Sequence, residues 1–518
     1  MTSRSSDRPR RLALASPQES ATAAGVEGFE RGGNALDAAL ATALSLAVVY
    51  PNNCALGGDL IALVRRADGS RVAINASGPA AAATDVEALR RAGPTMPLRG
   101  PDAITVPGLV VGLGELWRGG ARRPWEEAFG DAIAQAGDGI PVVGTLAAAL
   151  AEVAEALGRD EGCREVFFGS GGPLREGDLL RQPALARTLE GLAHEGADAF
   201  YRGATGRTLG DFLQAAGSPL DREDLARFAP ELTEPLISQV GGSEVAVVPP
   251  NSQGFLLGPM LDAALRVDPD LDPLGPRAGD LARIFRASLA VREDRLGDPG
   301  RGGSGHRDEE IDLLAWEGPE AGRWPRGSGD TVAVVAADDE GNCVSLLQSL
   351  FGGFGAMVLD PATGVLFHNR GSFFSLDPGS PNLIAPGRRP AHTLAPCMVF
   401  EDGLPRWALA TMGGSAQPQI LAQLLLRLRR GDDPAAALGA PRWVVGGPGA
   451  GEGLDALLVE EGVPPAAFAA LEALGVDLRV LPPLSDWVGH AQLIARAGDS
   501  FVAASDPRSE GAAIVRSA

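Results

Sequence analysis

Hydrophobic positions recur at two spacings along the chain, and each change of spacing marks an element. Residues 17–48 carry a helical pattern that Gly32-Gly33-Asn34 interrupts before the alanine-rich Ala35–Val49, with Ser16 or Ser20 available to cap its start. Apolar runs at 60–64 and 71–76 read as paired strands around the turn Ala67-Asp68-Gly69-Ser70. From about 110 to 235, spacings of three and four return, as in Leu146, Ala149, Leu150 and Val153, and predict mainly helix. A short strand, Val245-Ala246-Val247-Val248, stops at Pro249-Pro250, and helices follow at about 256–266 and 278–293. Residues 297–329, rich in Gly, Arg, Asp and Pro, predict an exposed, flexible linker. Strands are then expected at 331–337, 343–349, 396–400 and 405–411, a helix at 417–429, and strands near 478–481, 490–495 and 500–504. No internal repeat is visible.

One hairpin carries candidate chemistry. Its first strand opens at Thr331, directly after the linker, and runs through Val332-Ala333-Val334-Val335-Ala336-Ala337. An acidic turn (Asp338, Asp339, Glu340, Gly341, Asn342) leads into Cys343-Val344-Ser345-Leu346-Leu347. A hydroxyl residue at a strand start is common, so this placement alone is a weak signal.

Composition narrows the choices. A chain of 518 residues exceeds one small core, and 45% hydrophobic with 21% charged residues is ordinary for a globular protein. No uninterrupted apolar run of 18 residues occurs; Ala35–Tyr50 contains Asp37, Thr42 and Ser45 and reads as a buried helix, so no membrane span is expected. The polar, arginine-rich start (Met1–Arg11) lacks a signal-peptide pattern, and a cytoplasmic location is expected. A net charge of −21 argues against nucleic acid as partner. The four cysteines (Cys54, Cys163, Cys343, Cys397) form no close pair and read as reduced thiols, while the five histidines (His194, His306, His368, His392, His490) lack ligand spacing, so no metal is expected. All 45 basic residues are arginine; the missing lysine excludes Schiff-base chemistry and a P-loop. No cofactor is called for.

A long series of segments forms one ordered set. It starts with "GGNALDAALATALSLAVVYPNN" (32–53), "LGGDLIALV" (56–64), "VPGLVVGL" (106–113), "VVPPNSQG" (247–254) and "REDRLGDP" (292–299). It continues with "GDTVAVVAADDEGNCVSLLQSLFGGFG" (329–355), "NRGSFFSLDP" (369–378), "GRRPAHTLAP" (387–396), "TMGGSAQPQ" (411–419) and "ASDPRS" (504–509). Each segment is weak alone, but their order across nearly the whole chain is specific and resembles the γ-glutamyltransferase (γ-glutamyltranspeptidase) family of N-terminal nucleophile hydrolases. The resemblance implies an α+β fold, a four-layer αββα sandwich, cut into a large subunit (1–330, with the processing linker at about 297–330) and a small catalytic subunit (331–518). The working form would be a heterodimer of these two fragments, with further pairing left open.

What the resemblance implies for chemistry centres on Thr331. Its hydroxyl would attack the Asp330 carbonyl, and hydrolysis of the resulting ester would free an α-amine. With a pKa of ~7.7–8.0, that amine can accept the hydroxyl proton near neutral pH, so nucleophile and base share one residue. Gly413-Gly414 matches the family's oxyanion glycines, although by itself a Gly-Gly pair reads as a turn. Ser349 matches the second hydroxyl, which bonds the nucleophile and helps processing.

The substrate-reading positions depart from the transferases. Ser77 stands where they have an arginine for the γ-glutamyl carboxylate, Ala333 replaces a histidine, Phe351 an asparagine, Phe373 a carboxylate, and His392-Thr393 a serine pair. Arg370 and Arg389 are the candidates to restore carboxylate binding. Phe351, Phe373 and Phe374 predict a more apolar pocket than glutamate needs. These changes are similar to the family's acylase- and amidohydrolase-like branch, with a small-molecule amide or related carbonyl compound as substrate. Three readings stay open: an autoprocessed threonine hydrolase or acyltransferase, a C–C bond hydrolase of the type used in alkylproline-antibiotic pathways, and an unprocessed binding protein.

Overall fold

A computed structural model describes residues 10–301, 311–318, 330–446 and 456–518. The strands that build the core are, in chain order, β1 (Arg11–Ser16), β2 (Asp59–Arg65), β3 (Arg71–Ala76), β4 (Glu231–Thr233), β5 (Leu236–Val240), β6 (Ser243–Val247), β7 (Asp330–Asp338), β8 (Cys343–Phe351), β9 (Cys397–Glu401), β10 (Leu404–Thr411), β11 (Ala491–Ala497), β12 (Ser500–Ser505) and β13 (Ala512–Ser517). They form a seven-stranded sheet, β13-β1-β7-β8-β2-β3-β4, stacked on a six-stranded sheet, β12-β11-β10-β9-β6-β5. Helices cover both outer faces, which makes the four-layer αββα sandwich.

Strand β7 shows why the central runs are apolar throughout. Ala333, Val335 and Ala337 point between the sheets, onto Ile61, Leu347, Met398 and Ala408, while Val332, Val334 and Ala336 pack under the helices. A strand buried on both faces has no polar side to alternate with. The two sheets are also tied directly, Ser345 Oγ donating to the Leu409 carbonyl at 2.7 Å.

Under the first sheet lie α1 (Glu19–Glu30) and α2 (Ala35–Val49). Every residue of α2 is buried, and small alanines let neighbours approach on all sides. The break expected at Gly32-Gly33-Asn34 is present, and Asn34 with Asp37 forms a reciprocal capping box. The first cap differs from the expectation: Gln18, not Ser16 or Ser20, accepts from Ala21 N, because Ser16 belongs to β1 and bonds Thr22. That strand, which the sequence reading did not mark, begins at the last residue of the polar start, and its Leu12–Ala15 are fully buried. Outside the second sheet pack α3 (Leu257–Val267), α4 (Ala278–Arg295) and α5 (Gln417–Arg429).

Most of the expected linker, 302–310 and 319–329, lies outside the described residues. Its start is not an exposed tether: Asp298 is 3% exposed and bonded to Arg389. Among the described residues no helix is long and apolar enough to cross a membrane.

Candidate active site

Register places three polar side chains in one row. Thr331 on β7 is paired with Ser349 on β8, and Ser349 with Asp59 on β2. Directly paired residues share a sheet face, and here it is the face toward the second sheet. Thr331 and Ser349 are each 1% exposed and Asp59 is fully buried.

Ser349 organises the Asp330–Thr331 junction. Thr331 Oγ1 donates to Ser349 Oγ (3.0 Å), Phe351 N donates to the same oxygen (2.8 Å), and Ser349 Oγ donates to the Asp330 carbonyl (2.7 Å). Such a relay polarises the Asp330 carbonyl while orienting the hydroxyl beside it. A break in strand register falls between Asp330 and Thr331, the irregularity that re-aims groups at a strand end. Phe351 closes the strand with φ 76°, left-handed backbone that a bulky residue rarely adopts.

Across from this row, the turn after β10 presents Gly413 (φ 134°) and Gly414 (φ 51°). The backbone at Gly413 favours glycine, and a Cβ there would lie 2.5 Å from Ile420 Cδ1, a side-chain end that would have to shift. Among the described residues, neither glycine's N–H is taken by an acceptor. Two free backbone donors on a turn are what an oxyanion requires. Gln253 holds the turn in place: its Nε2 donates to Gly414 O (2.8 Å) and to Thr393 O (2.7 Å).

Behind Asp59 sits a buried charge cluster. Asp59 Oδ2 lies 3.2 Å from His368 Nδ1, 3.1 Å from His392 Nε2 and 3.6 Å from Arg370 Nε. Leu394 N donates to His392 Nδ1, so His392 carries its proton on Nε2, pointed at Asp59. Burial, with Arg370 nearby, pushes His392 down to about 4, and the ring is neutral at pH 7. Burial alone would raise the Asp59 carboxyl, but the attraction of His368 and the hydrogen bonds of both histidines outweigh it and hold Asp59 far below the usual carboxylate range. Burial draws Arg370 down to about 10, with Asp59 opposing.

Expected site residues separate into two groups. Thr331, Ser349, Phe351, Arg370, Phe373, His392 and Thr393 come together: Arg370 stacks on the Phe351 ring (4.2 Å), Phe351 packs on Phe373 (5.1 Å), and Arg370 Nη1 donates to Thr393 Oγ1 (3.2 Å). Ser77 instead lies in a polar knot, donating to Asn75 Oδ1 (2.7 Å) and accepting from Asn251 Nδ2 (3.1 Å). Arg389 is held by Asp298 (2.9 Å) and Glu231 (2.7 Å). Phe374 packs away from the site, among Ala80, Met96, Leu376 and Ile384. Ala333 is inter-sheet core. Asp59, His368 and Gln253 were not singled out from sequence, although each lies in or beside a family-like segment; their partners are more than 100 residues away along the chain.

The family model described as gamma-glutamyltranspeptidase matches residues 21–516. Oxamate amidohydrolase proenzyme of Klebsiella pneumoniae subsp. pneumoniae is 35% identical, with 94% of each chain covered. Acylase ACY 1 proenzyme of Pseudomonas sp. strain SE83 is 32% identical over 88% of this chain and 85% of its own. The crystal structure of cephalosporin acylase from Bacillus halodurans matches with a TM-score of 0.87 at 29% identity, covering 99% of this chain and 97% of that one. The chain therefore belongs to the γ-glutamyltranspeptidase family, among whose members its acylase- and amidohydrolase-named relatives stand.

Proposed function

We propose that this protein is a hydrolase that cleaves amide bonds with Thr331 as nucleophile, after cutting its own chain between Asp330 and Thr331. The observation that carries this reading is the relay from Thr331 Oγ1 through Ser349 Oγ to the Asp330 carbonyl. In the intact chain, Thr331 Oγ attacks the Asp330 carbonyl carbon, its proton passing toward Ser349, and the amide becomes an ester between Asp330 and Thr331. Water then hydrolyses the ester, leaving a carboxylate on Asp330 and a free amine on Thr331. That amine serves as base when the hydroxyl attacks a substrate amide. The Gly413 and Gly414 N–H groups receive the carbonyl oxygen as it becomes negative; the amine leaves with a proton, and water releases the acyl group. Amidohydrolase and acylase relatives whose names include "proenzyme" support both halves of the reading.

The two products would be a large fragment ending at Asp330 and a small catalytic fragment, 331–518. No feature among the described residues favours C–C cleavage or a binding-only role over amide hydrolysis. Intact-mass analysis with N-terminal sequencing is the test: a fragment starting at Thr331, with ammonia or amine release from small amides, is expected. A single uncut chain without activity would sink the reading.

A further inference from the structure

A turn built on two adjacent glycines keeps its shape only through the bonds made to its carbonyls. Each N–H lies in one peptide plane with the preceding carbonyl, so fixing Met412 O and Gly413 O sets the directions of the Gly413 and Gly414 N–H groups. Thr411 Oγ1 donates to Met412 O (2.7 Å), and Ala416 N donates to Gly413 O (2.9 Å). At the start of the turn, Met412 N donates to His490 O (2.9 Å). At its far end, Gly414 O accepts from Gln417 N and from Gln253 Nε2 (2.8 Å). Of these holds, the one from Gln253 reaches the turn from before Thr331, 161 positions away along the chain.

The Gln253 side chain is fully buried and bonded at one end. Its Nε2 donates to two carbonyls, Thr393 O (2.7 Å) and Gly414 O (2.8 Å), while its Oε1 has no partner among the described residues. Two facing carbonyls also dictate which end of the amide is nitrogen. A buried amide ordinarily bonds at both ends; here the NH2 group is what the surroundings use. Glutamate has the same shape but would set an oxygen against both carbonyls. The backbone beneath is itself fixed, with Gln253 N donating to His392 O (2.9 Å) and Ser252 Oγ to Leu394 O (2.6 Å).

We infer that Gln253 is a positioning residue for turnover: from the part of the chain before the proposed cut, it sets the oxyanion turn that serves the nucleophile after it. This rests on the amide-hydrolase reading for what the turn does, but not for the tether itself. In the intact chain the Asp330 carbonyl is held by Ser349 Oγ (2.7 Å), and the N–H groups of the turn are not bonded to it. Self-cutting therefore does not draw on the turn, whereas substrate hydrolysis does. Loss of the Gln253 donors separates two reactions of the same threonine.

The experiment compares wild type with Gln253→Met and Gln253→Glu, which keep the length of the side chain and lose its donors, and with Gln253→His, which keeps one N–H. Three quantities are read: the rate at which the fragment starting at Thr331 appears, kcat and KM for p-nitroacetanilide and p-nitrophenyl acetate, and the place of the Gly414 carbonyl in crystals of Gln253→Met. Thr331→Ala supplies the blank. In Gln253→Met and Gln253→Glu, kcat is expected to fall about 10–100-fold, with KM within about threefold and self-cutting within about twofold of wild type. Gln253→His should lie between, and the Gly414 carbonyl should be displaced. An unchanged kcat, self-cutting and turnover lost in step, an unmoved Gly414 carbonyl, or failure of all three variants to fold would overturn the tether. A wild type that stays uncut, or hydrolyses neither probe, would remove only the hydrolase reading, and the crystals would then decide the tether.

Discussion

Ser349 is the residue through which Thr331 and the Asp330 carbonyl communicate, so substitutions at these positions should give separable outcomes. Thr331→Ala removes the hydroxyl and is expected to leave a single uncut chain without activity, whereas Thr331→Ser keeps a hydroxyl and should cut partially; denaturing electrophoresis over time distinguishes them. Ser349→Ala retains the nucleophile but loses the relay, and processing should slow by about 10²-fold, the lower range for a positioned proton-transfer group. Equal processing in Ser349→Ala and wild type would show that the short Ser349–Asp330 contact is only structural. Thr331, Ser349 and the glycines could be named from sequence because their segments match a family in order. Asp59 could not, since it contacts His392, which lies 333 positions further along the chain.

The hairpin β7–β8 is joined to helix α2 through its turn. Asp338 accepts from Ala35 N at the helix start (3.0 Å) and from Asn342 N and Nδ2 (3.0 and 2.8 Å). Sequence marked this stretch as an acidic turn; the structure buries Asp338 to 3% exposure, and burial raises its carboxyl pKa despite those bonds. Asp338→Ala removes a helix-end acceptor and leaves buried donors, which should lower stability by about 2–4 kcal/mol in urea unfolding. Most strands and the main helices were legible as apolar runs, whereas β1, β4, β5 and β13 were not. Three of these are held by neighbours distant in sequence, as β1 lies between β7 and β13 with no hairpin partner of its own, whereas β5 is an edge strand paired only with the adjacent β6.

At the scale of the whole molecule, the first sheet interleaves the two expected fragments. The part before Thr331 supplies β1, β2, β3 and β4, and the part after it β13, β8 and nearly all of β7, so parting them breaks the β13–β1, β1–β7 and β8–β2 ladders, with β6–β9 in the second sheet. Cut protein should therefore run as one species in gel filtration and separate only in denaturant; fragments that part in native buffer would contradict this. Acid response is also a whole-molecule property. Burial holds His392 and His490 at about 4 in the folded protein, against ~6.5 when unfolded. Between those values the unfolded chain binds protons that the folded one does not, so stability is complete above about pH 6.5 and declines as pH falls toward 4. Each histidine contributes up to about 3 kcal/mol across that window. Urea midpoints from pH 7.5 to 4.5 should fall accordingly, with a shallower slope in His490→Asn; a flat profile would contradict the buried neutral state.

The family, and through its resemblance the layer architecture and the candidate hydroxyl and glycine positions, could be read from the sequence itself, because the matching segments are contiguous and their order is visible directly. How each candidate arginine is held was decided only by tertiary structure. Arg370 and Arg389 look alike along the chain, yet folding brings Asp298 and Glu231 to Arg389, and Asp59, Phe351 and Thr393 to Arg370. A guanidinium's availability depends on how many acceptors surround it, and those acceptors come from segments that meet only when the two sheets close on each other.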